Sequence, residues 1–241
     1  KNVGTNIIND MITKVDFSNK PFVAESESGT TYTADTVIIS TGAQARWLGL
    51  PSEEKFQGYG VSACATCDGF FFKEKEVAVI GGGNTAVEEA LFLTSFASKV
   101  HLVHRRDALR SEKILQERLF KNDKINIIWN SELAEITGEE NPTNVTGIKL
   151  KSTIDGAITN LKVDGVFIAI GHDPATQIFK GQINMDDSGY IITAPDSTLT
   201  NINGVYAAGD VKDKTYRQAV TAAGMGCMAA LEAEKYISSL E

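Results

Sequence analysis

Val77-Ala78-Val79-Ile80-Gly81-Gly82-Gly83-Asn84-Thr85-Ala86 is the stretch on which the reading of this 241-residue chain turns. Four apolar residues make a short buried strand, three glycines follow at once, and a helical pattern then places Ala86, Ala90, Leu93 and Ala97 along one face. Thr85 and Glu88 have capping-box spacing at the start of that helix. Gly81 and Gly83 let the backbone turn tightly and approach a pyrophosphate, whose charge is met by amide N–H groups at the helix start opened by Asn84 and Thr85. Ala86 permits close packing of helix on sheet. Val100-His101-Leu102-Val103 then completes a strand–helix–strand unit with a right-handed crossover. The expected class is α/β with a parallel sheet that binds a nucleotide.

The end of the second strand discriminates between nucleotides. About 20 residues past the first strand, an NAD site offers an acid to the ribose hydroxyls. This chain offers His104-Arg105-Arg106, with Arg110 a helical turn further. Arginines there match a 2′-phosphate through forked, charge-assisted hydrogen bonds, so NADPH is the expected ligand. The cluster stands out because the chain is acidic, with 31 Asp and Glu against 23 Lys and Arg and a formal net charge of −8. That balance argues against a nucleic-acid surface. No apolar run approaches a membrane span, and Lys1-Asn2-Val3 does not open a signal peptide.

Three cysteines, an odd number in a chain this long, do not make a secreted disulfide framework, and a reducing, cytoplasmic setting is expected. Two of them form Cys64-Ala65-Thr66-Cys67, with Asp68 adjacent. A zinc site would need a second pair of ligands, whereas Cys227, His101, His104 and His172 are scattered, and no metal is expected. A permanent structural disulfide suits that compartment poorly. A redox-active pair fits the spacing and the company of an electron-donating cofactor, with Asp68 placed to handle protons or to act merely as a cap. Cys227 reads as a small packed hydrophobe.

A second regularity lies in "ADTVIISTG" (34–42) and "VDGVFIAIG" (163–171), where Asp35, Val37, Ile39 and Gly42 correspond to Asp164, Val166, Ile168 and Gly171. Read as a duplication, it predicts two nucleotide domains. Gly81 precedes Gly171 by 90 residues, so the turn belonging to Gly42 would fall before Lys1, and the chain is expected to begin inside its first nucleotide domain. Elsewhere the pattern predicts a helix over 111–123, with Ile114, Leu115, Arg118 and Leu119 along one side, and short strands over 125–137 and 144–162 joined by "GEENPTN". A helix over 216–240 follows, whose early small residues, Gly224 and Gly226 among them, permit close approach of another surface. Before it, "GVYAAGDV" places Asp210 at a strand end facing a ligand.

Jointly, Cys64-Ala65-Thr66-Cys67-Asp68, Gly81 to Ala86, His104-Arg105-Arg106 with Arg110, Gly209-Asp210 and Arg217-Gln218-Ala219 resemble the low-molecular-weight bacterial thioredoxin reductases across nearly the whole chain. The resemblance implies FAD as flavin, NADPH as donor, thioredoxin as protein substrate and a homodimer. It likens Asp210 to the acid on the flavin ribityl chain, Arg217, Gln218 and Ala219 to the segment beside the isoalloxazine, and Thr41-Gly42-Ala43 to the family's "ATGA" segment, here "STGA". It implies two Rossmann-like, three-layer (ββα) domains: an incomplete FAD domain of residues 1–47 and 176–241, and an inserted NADPH domain of residues 48–175 that carries the cysteines. Hydride would pass from NADPH to FAD and electrons onward to the cysteines, with Cys67 nearer the flavin, Cys64 attacking the partner's disulfide and Asp68 as acid and base. Domain rotation about Arg46–Leu50 and His172–Gln177 is implied as well. An electron donor to a peroxiredoxin system and an inactive NADPH-binding fragment are the alternatives.

Overall fold

The computed structural model describes residues 4–240. They divide into two compact units, one running to Gln44 and resuming at Asp173, the other spanning Ala45–His172.

The inserted unit is built on a five-stranded parallel sheet in the order Val61–Ser62, Gly165–Ile168, Glu76–Ile80, Lys99–Val103, Ile125–Ile128. Alternation sends successive residues to opposite faces. Val77, Val79, Val100, Leu102 and Phe167 pack beneath the helices Asn84–Leu93 and Lys113–Phe120. Ala78, Ile80, Val103, Val166 and Ile168 pack against Leu133, Ile136, Val145, Ile148 and Leu150 of an antiparallel sheet made by Ser131–Glu140, Thr143–Ser152 and Ile158–Leu161. Burial on both faces explains why these strands read as continuous apolar runs.

The other unit repeats this plan. An antiparallel sheet of Ile12–Asp16, Phe22–Ser26 and Thr31–Ala34 precedes a parallel pair, Val37–Ile39 with Val205–Ala207. Ile39, Val205 and Ala207 lie in a core with Val15, Phe17 and Phe22, while Tyr206 and Ala208 pack with Ala229 and Ala233 of the helix Ala219–Ser238. The duplication seen in the sequence thus has a structural counterpart. In each copy an antiparallel meander leads into a parallel strand followed, three residues past its end, by a glycine with positive φ, Gly42 at 73° and Gly171 at 112°. The segments that follow these glycines, Ala43–Ala45 and His172–Pro174, pair with each other.

Several local expectations need correction. The helix after the glycine turn is capped by Gly83 in extended conformation, so Thr85 and Glu88 form no capping box. The helix expected over 111–123 is confined to Lys113–Phe120; Leu115 and Leu119 are buried, whereas Ile114 is exposed. Most of "GEENPTN" is strand, with the turn reduced to Asn141-Pro142. The last helix runs from Ala219 to Ser238, and among the described residues nothing comes within 4 Å of a Cβ built on Gly224 or Gly226. Cys227 is exposed on that helix, not packed. Among the described residues, no helix is long and apolar enough to cross a membrane.

Candidate functional site

At the carboxyl end of the inserted unit's parallel sheet, Ile80 pairs with both Val103 and Ile168. That register sets Gly81, His104 and Ala169 side by side around a cleft of about 790 Å3. The position matches the rule for open α/β sheets, in which ligands bind beyond the carboxyl ends where strand order reverses.

Three consecutive glycines serve three different purposes here. A Cβ on Gly81 would lie 2.4 Å from the Ala169 carbonyl oxygen and 2.6 Å from Ala86 Cβ, so the turn and the helix could not close. A Cβ on Gly82 would lie 2.2 Å from the His104 ring, which fills that space. Gly83 lines the cleft, and among the described residues no atom lies within 4 Å of its Cβ position. Its open side is where a phosphate can approach the backbone at the helix start.

The basic cluster is a loop tied back onto this turn. The Arg110 N–H donates to Gly82 O (2.8 Å), His104 Nε2–H to Ala108 O (3.1 Å), and Glu112 N–H to Asn84 Oδ1 (2.9 Å). Thr85, Arg105, Arg110 and Gly171 line the cleft. Among the described residues Arg106 does not, and its carbonyl accepts from Asn130 N–H (3.2 Å). Asn84 is engaged with Glu112, and Ala86 is buried under Gly81. His104 forms part of the wall but is itself buried. Burial pushes its pKa down, more than the Ala108 and Gly81 carbonyls raise it, and Arg110 and Arg106 push the same way as burial. It is therefore a neutral prop and not the third cation of the cluster. Arg46, Ser131 and Glu132 also line the cleft. The last two open an antiparallel strand whose register nothing in the sequence revealed. A glycine cradle with two arginines fits a dinucleotide carrying an extra phosphate.

Cys64 and Cys67 are joined as a disulfide, with Cα atoms 5.3 Å apart. Cys64 caps the short helix Ala65–Asp68, and its Sγ accepts from Cys67 N–H at 3.1 Å. Ser62 Oγ accepts from Cys64 N–H at 3.0 Å and fixes the approach to the helix. Cys64 is half-buried and Cys67 exposed. Asp68 lines a pocket of about 380 Å3 with Tyr59, Phe71 and Lys75. Phe70 and Phe71, three and four residues past Cys67, are 68% and 70% exposed. They escaped notice in the sequence because Phe-Phe-Phe reads as core, which is true of Phe72 alone.

In the other unit, the parallel pair brings two further groups of candidates together. Ile39 pairs with Ala207, and Ala208 N–H donates to Ile39 O (3.0 Å), so Thr41-Gly42 and Gly209-Asp210 lie at adjacent strand ends. Thr41 Oγ1 donates to Ala175 O at 2.7 Å. Asp210 is half-buried, and among the described residues no donor meets its carboxylate. Burial first, then repulsion by Asp213, raises its pKa, while Arg217 lowers it. An acid in that state is suited to accept from the hydroxyls of a polyol. Arg217 has φ of 49°, its Nη1 donates to Lys214 O (2.6 Å), and Gln218 caps the helix that begins at Ala219. These residues fit the ribityl and ring portions of FAD.

Comparison with known proteins gives the family. The model of the pyridine nucleotide-disulphide oxidoreductases matches residues 1–226. Thioredoxin reductase of Rickettsia conorii is 60% identical over 238 residues, covering 99% of this chain and 77% of that protein. The Coxiella burnetii thioredoxin reductase is 53% identical, covering 98% and 75%. Among solved structures, thioredoxin reductases of Streptococcus pyogenes and Giardia duodenalis superpose with TM-scores of 0.89 and 0.92 at 43% and 39% identity. They cover 95% and 98% of this chain, and the chain spans 74% and 77% of theirs. The chain belongs to the pyridine nucleotide-disulphide oxidoreductase family.

Proposed function

We propose that this chain is an NADPH-dependent thioredoxin-disulfide reductase. The observation that carries the reading is the Cys64–Cys67 disulfide, exposed at Cys67, in the same compact unit as a glycine-and-arginine cleft. On this reading, residues 48–175 bind NADPH, and residues 1–47 with 176–241 contribute to FAD binding. The chemistry supplied by bound FAD is two-electron transfer from NADPH to the disulfide. Arg105 and Arg110 hold the 2′-phosphate, Gly83 admits the pyrophosphate, and Asp210 accepts from the ribityl hydroxyls. A homodimer in the cytoplasm comes with the family resemblance, and the acidic balance speaks for small-molecule and protein partners over nucleic acid or membrane.

The reduced pair then acts by thiol–disulfide exchange. One thiolate attacks a sulfur of the thioredoxin disulfide, forming a mixed disulfide and releasing a thioredoxin thiolate. The second cysteine attacks its neighbour's sulfur in that mixed disulfide, which restores Cys64–Cys67 and frees dithiol thioredoxin. Asp68 handles the protons. By resemblance Cys64 makes the first attack and Cys67, nearer the flavin, resolves the mixed disulfide, and we adopt that assignment for the pair. Phe70 and Phe71 give the partner an apolar surface beside it.

The test is trapping. Thioredoxin whose second redox cysteine is replaced by serine, activated at the first as a mixed disulfide with a chromogenic thiol, is offered to the reduced Cys64→Ser and Cys67→Ser variants, and attack releases the chromogenic thiol. Stable covalent complex forms with Cys67→Ser, which retains Cys64, and neither variant turns over thioredoxin with NADPH. Equal trapping by both would remove the division of labour, and NADPH-driven turnover by either would remove the two-cysteine relay.

A further inference from the structure

Asp213 is a buried carboxylate that none of the roles above uses. Its Oδ1 accepts from Thr215 N–H and Tyr216 N–H, both at 2.9 Å. Its Oδ2 accepts from Arg217 N–H at 3.1 Å and from the Thr221 hydroxyl at 3.3 Å. Its own N–H donates to Gly209 O at 2.9 Å. Through its backbone N–H and its carboxylate together, this one residue joins the Gly209-Asp210 turn to the Arg217-Gln218 turn and to the first turn of the helix Ala219–Ser238. Arg217 sits at φ 49°, a left-handed conformation that a non-glycine residue rarely adopts and that persists only where neighbours enforce it. Asp213 supplies the enforcing contact. Thr221 completes the clamp, because its hydroxyl also accepts from Gln218 N–H at 3.3 Å.

We propose that Asp213 is a positioning residue which holds Arg217 and Gln218 in place to receive the flavin. The proposal rests on the flavin reading of Asp210 and Arg217 to Ala219. Without the carboxylate, Arg217 would relax to negative φ and the Arg217-Gln218 segment would have to be ordered at the expense of binding. The depressed pKa of Asp213, where four donors outweigh burial, agrees with a carboxylate that is ionised and fully engaged.

The test compares the full-length chain with Asp213→Asn and the milder Thr221→Val by three measurements: amide hydrogen exchange over 213–222, quenching of FAD fluorescence, and NADPH binding. Asn keeps one oxygen for Thr215 and Tyr216 but turns an amide NH2, a donor, toward the Arg217 N–H that Oδ2 accepted. Arg217 exchange should accelerate and FAD affinity fall, each by about tenfold for Asp213→Asn and less for Thr221→Val. NADPH affinity should stay unchanged, which a general loss of folding would not allow. Unaltered Arg217 exchange, or FAD affinity equal to that of the parent despite faster exchange, would overturn the proposal. Should Asp213→Asn fail to fold, Thr221→Val must show both effects for the proposal to survive. If the parent chain takes up no FAD while exchange responds as described, the flavin reading falls and the clamp on Arg217 stands.

Discussion

Gly82 and Gly83 are adjacent, chemically identical and constrained by opposite things. A histidine ring lies where the first one's side chain would be, whereas the second has open space at that position, where the proposed reading brings a phosphate to the backbone. Substituting alanine should separate the two. Gly82→Ala forces the His104 ring away and costs about 1–3 kcal/mol by overpacking, seen as a lower Tm. Gly83→Ala, at an extended N-cap, should leave Tm nearly unchanged and weaken NADPH binding. A normal Tm for Gly82→Ala would mean that the ring is not wedged as described. Asp210 shows the converse conflict, between stability and a waiting ligand. Its folded pKa is raised, so the fold bears the cost of its ionisation at neutral pH and is relieved of it below the ordinary carboxylate range. Asp210→Asn should therefore raise the Tm at about pH 7, with the gain vanishing near pH 3 as both states bind the proton, while FAD binding is lost. A gain that persists at low pH would point to a cause other than the charge.

The loop from His104 to Glu112 works as a unit because its ties return to the glycine turn and helix start, at Gly82 O and Asn84. Its arginines were legible as a cluster but not as individuals. Arg105 and Arg110 reach the cleft and Arg106 does not, since spacing in a loop carries no face to read. Replacing both Arg105 and Arg110 with alanine should raise the KM for NADPH by about tenfold or more per residue and leave that for NADH nearly unchanged. Arg106→Ala should change neither strongly. Equal losses for the two nucleotides would remove the 2′-phosphate assignment. The parallel strands and the helix after the glycines were readable because burial on both faces gives unbroken apolar runs and a four-residue repeat. The helix Lys113–Phe120 was less so. Ile114 and Leu115 are equally apolar, and only the placement of neighbouring elements makes Leu115 core and Ile114 surface. The clamp at Asp213 was invisible for a related reason: an aspartate followed by Lys, Thr and Tyr advertises no turn, and its role depends on a helix that closes over it.

The chain enters and leaves its inserted unit at neighbouring points. Ala43–Ala45 pairs with His172–Pro174, and Arg46 N–H donates to Gly171 O at 2.9 Å. Within those limits the inserted unit has its own two-sided core, a complete parallel sheet, the cleft and the disulfide. An element set that is contiguous in sequence, closed at its ends and independently packed meets the conditions for autonomous folding. Residues 45–172 expressed alone should therefore give a single cooperative melt, bind NADPH with an affinity within about threefold of that of the 241-residue chain, and have a Cys64–Cys67 pair that a dithiol reagent reduces and its disulfide form reoxidises. They should not couple NADPH oxidation to that pair, because the residues proposed to hold the flavin lie outside them. Calorimetry and a thiol titration decide the matter. A molten fragment would show that the unit depends on the rest of the chain for its core, and NADPH-driven disulfide reduction by the fragment would show that the flavin is not the intermediary.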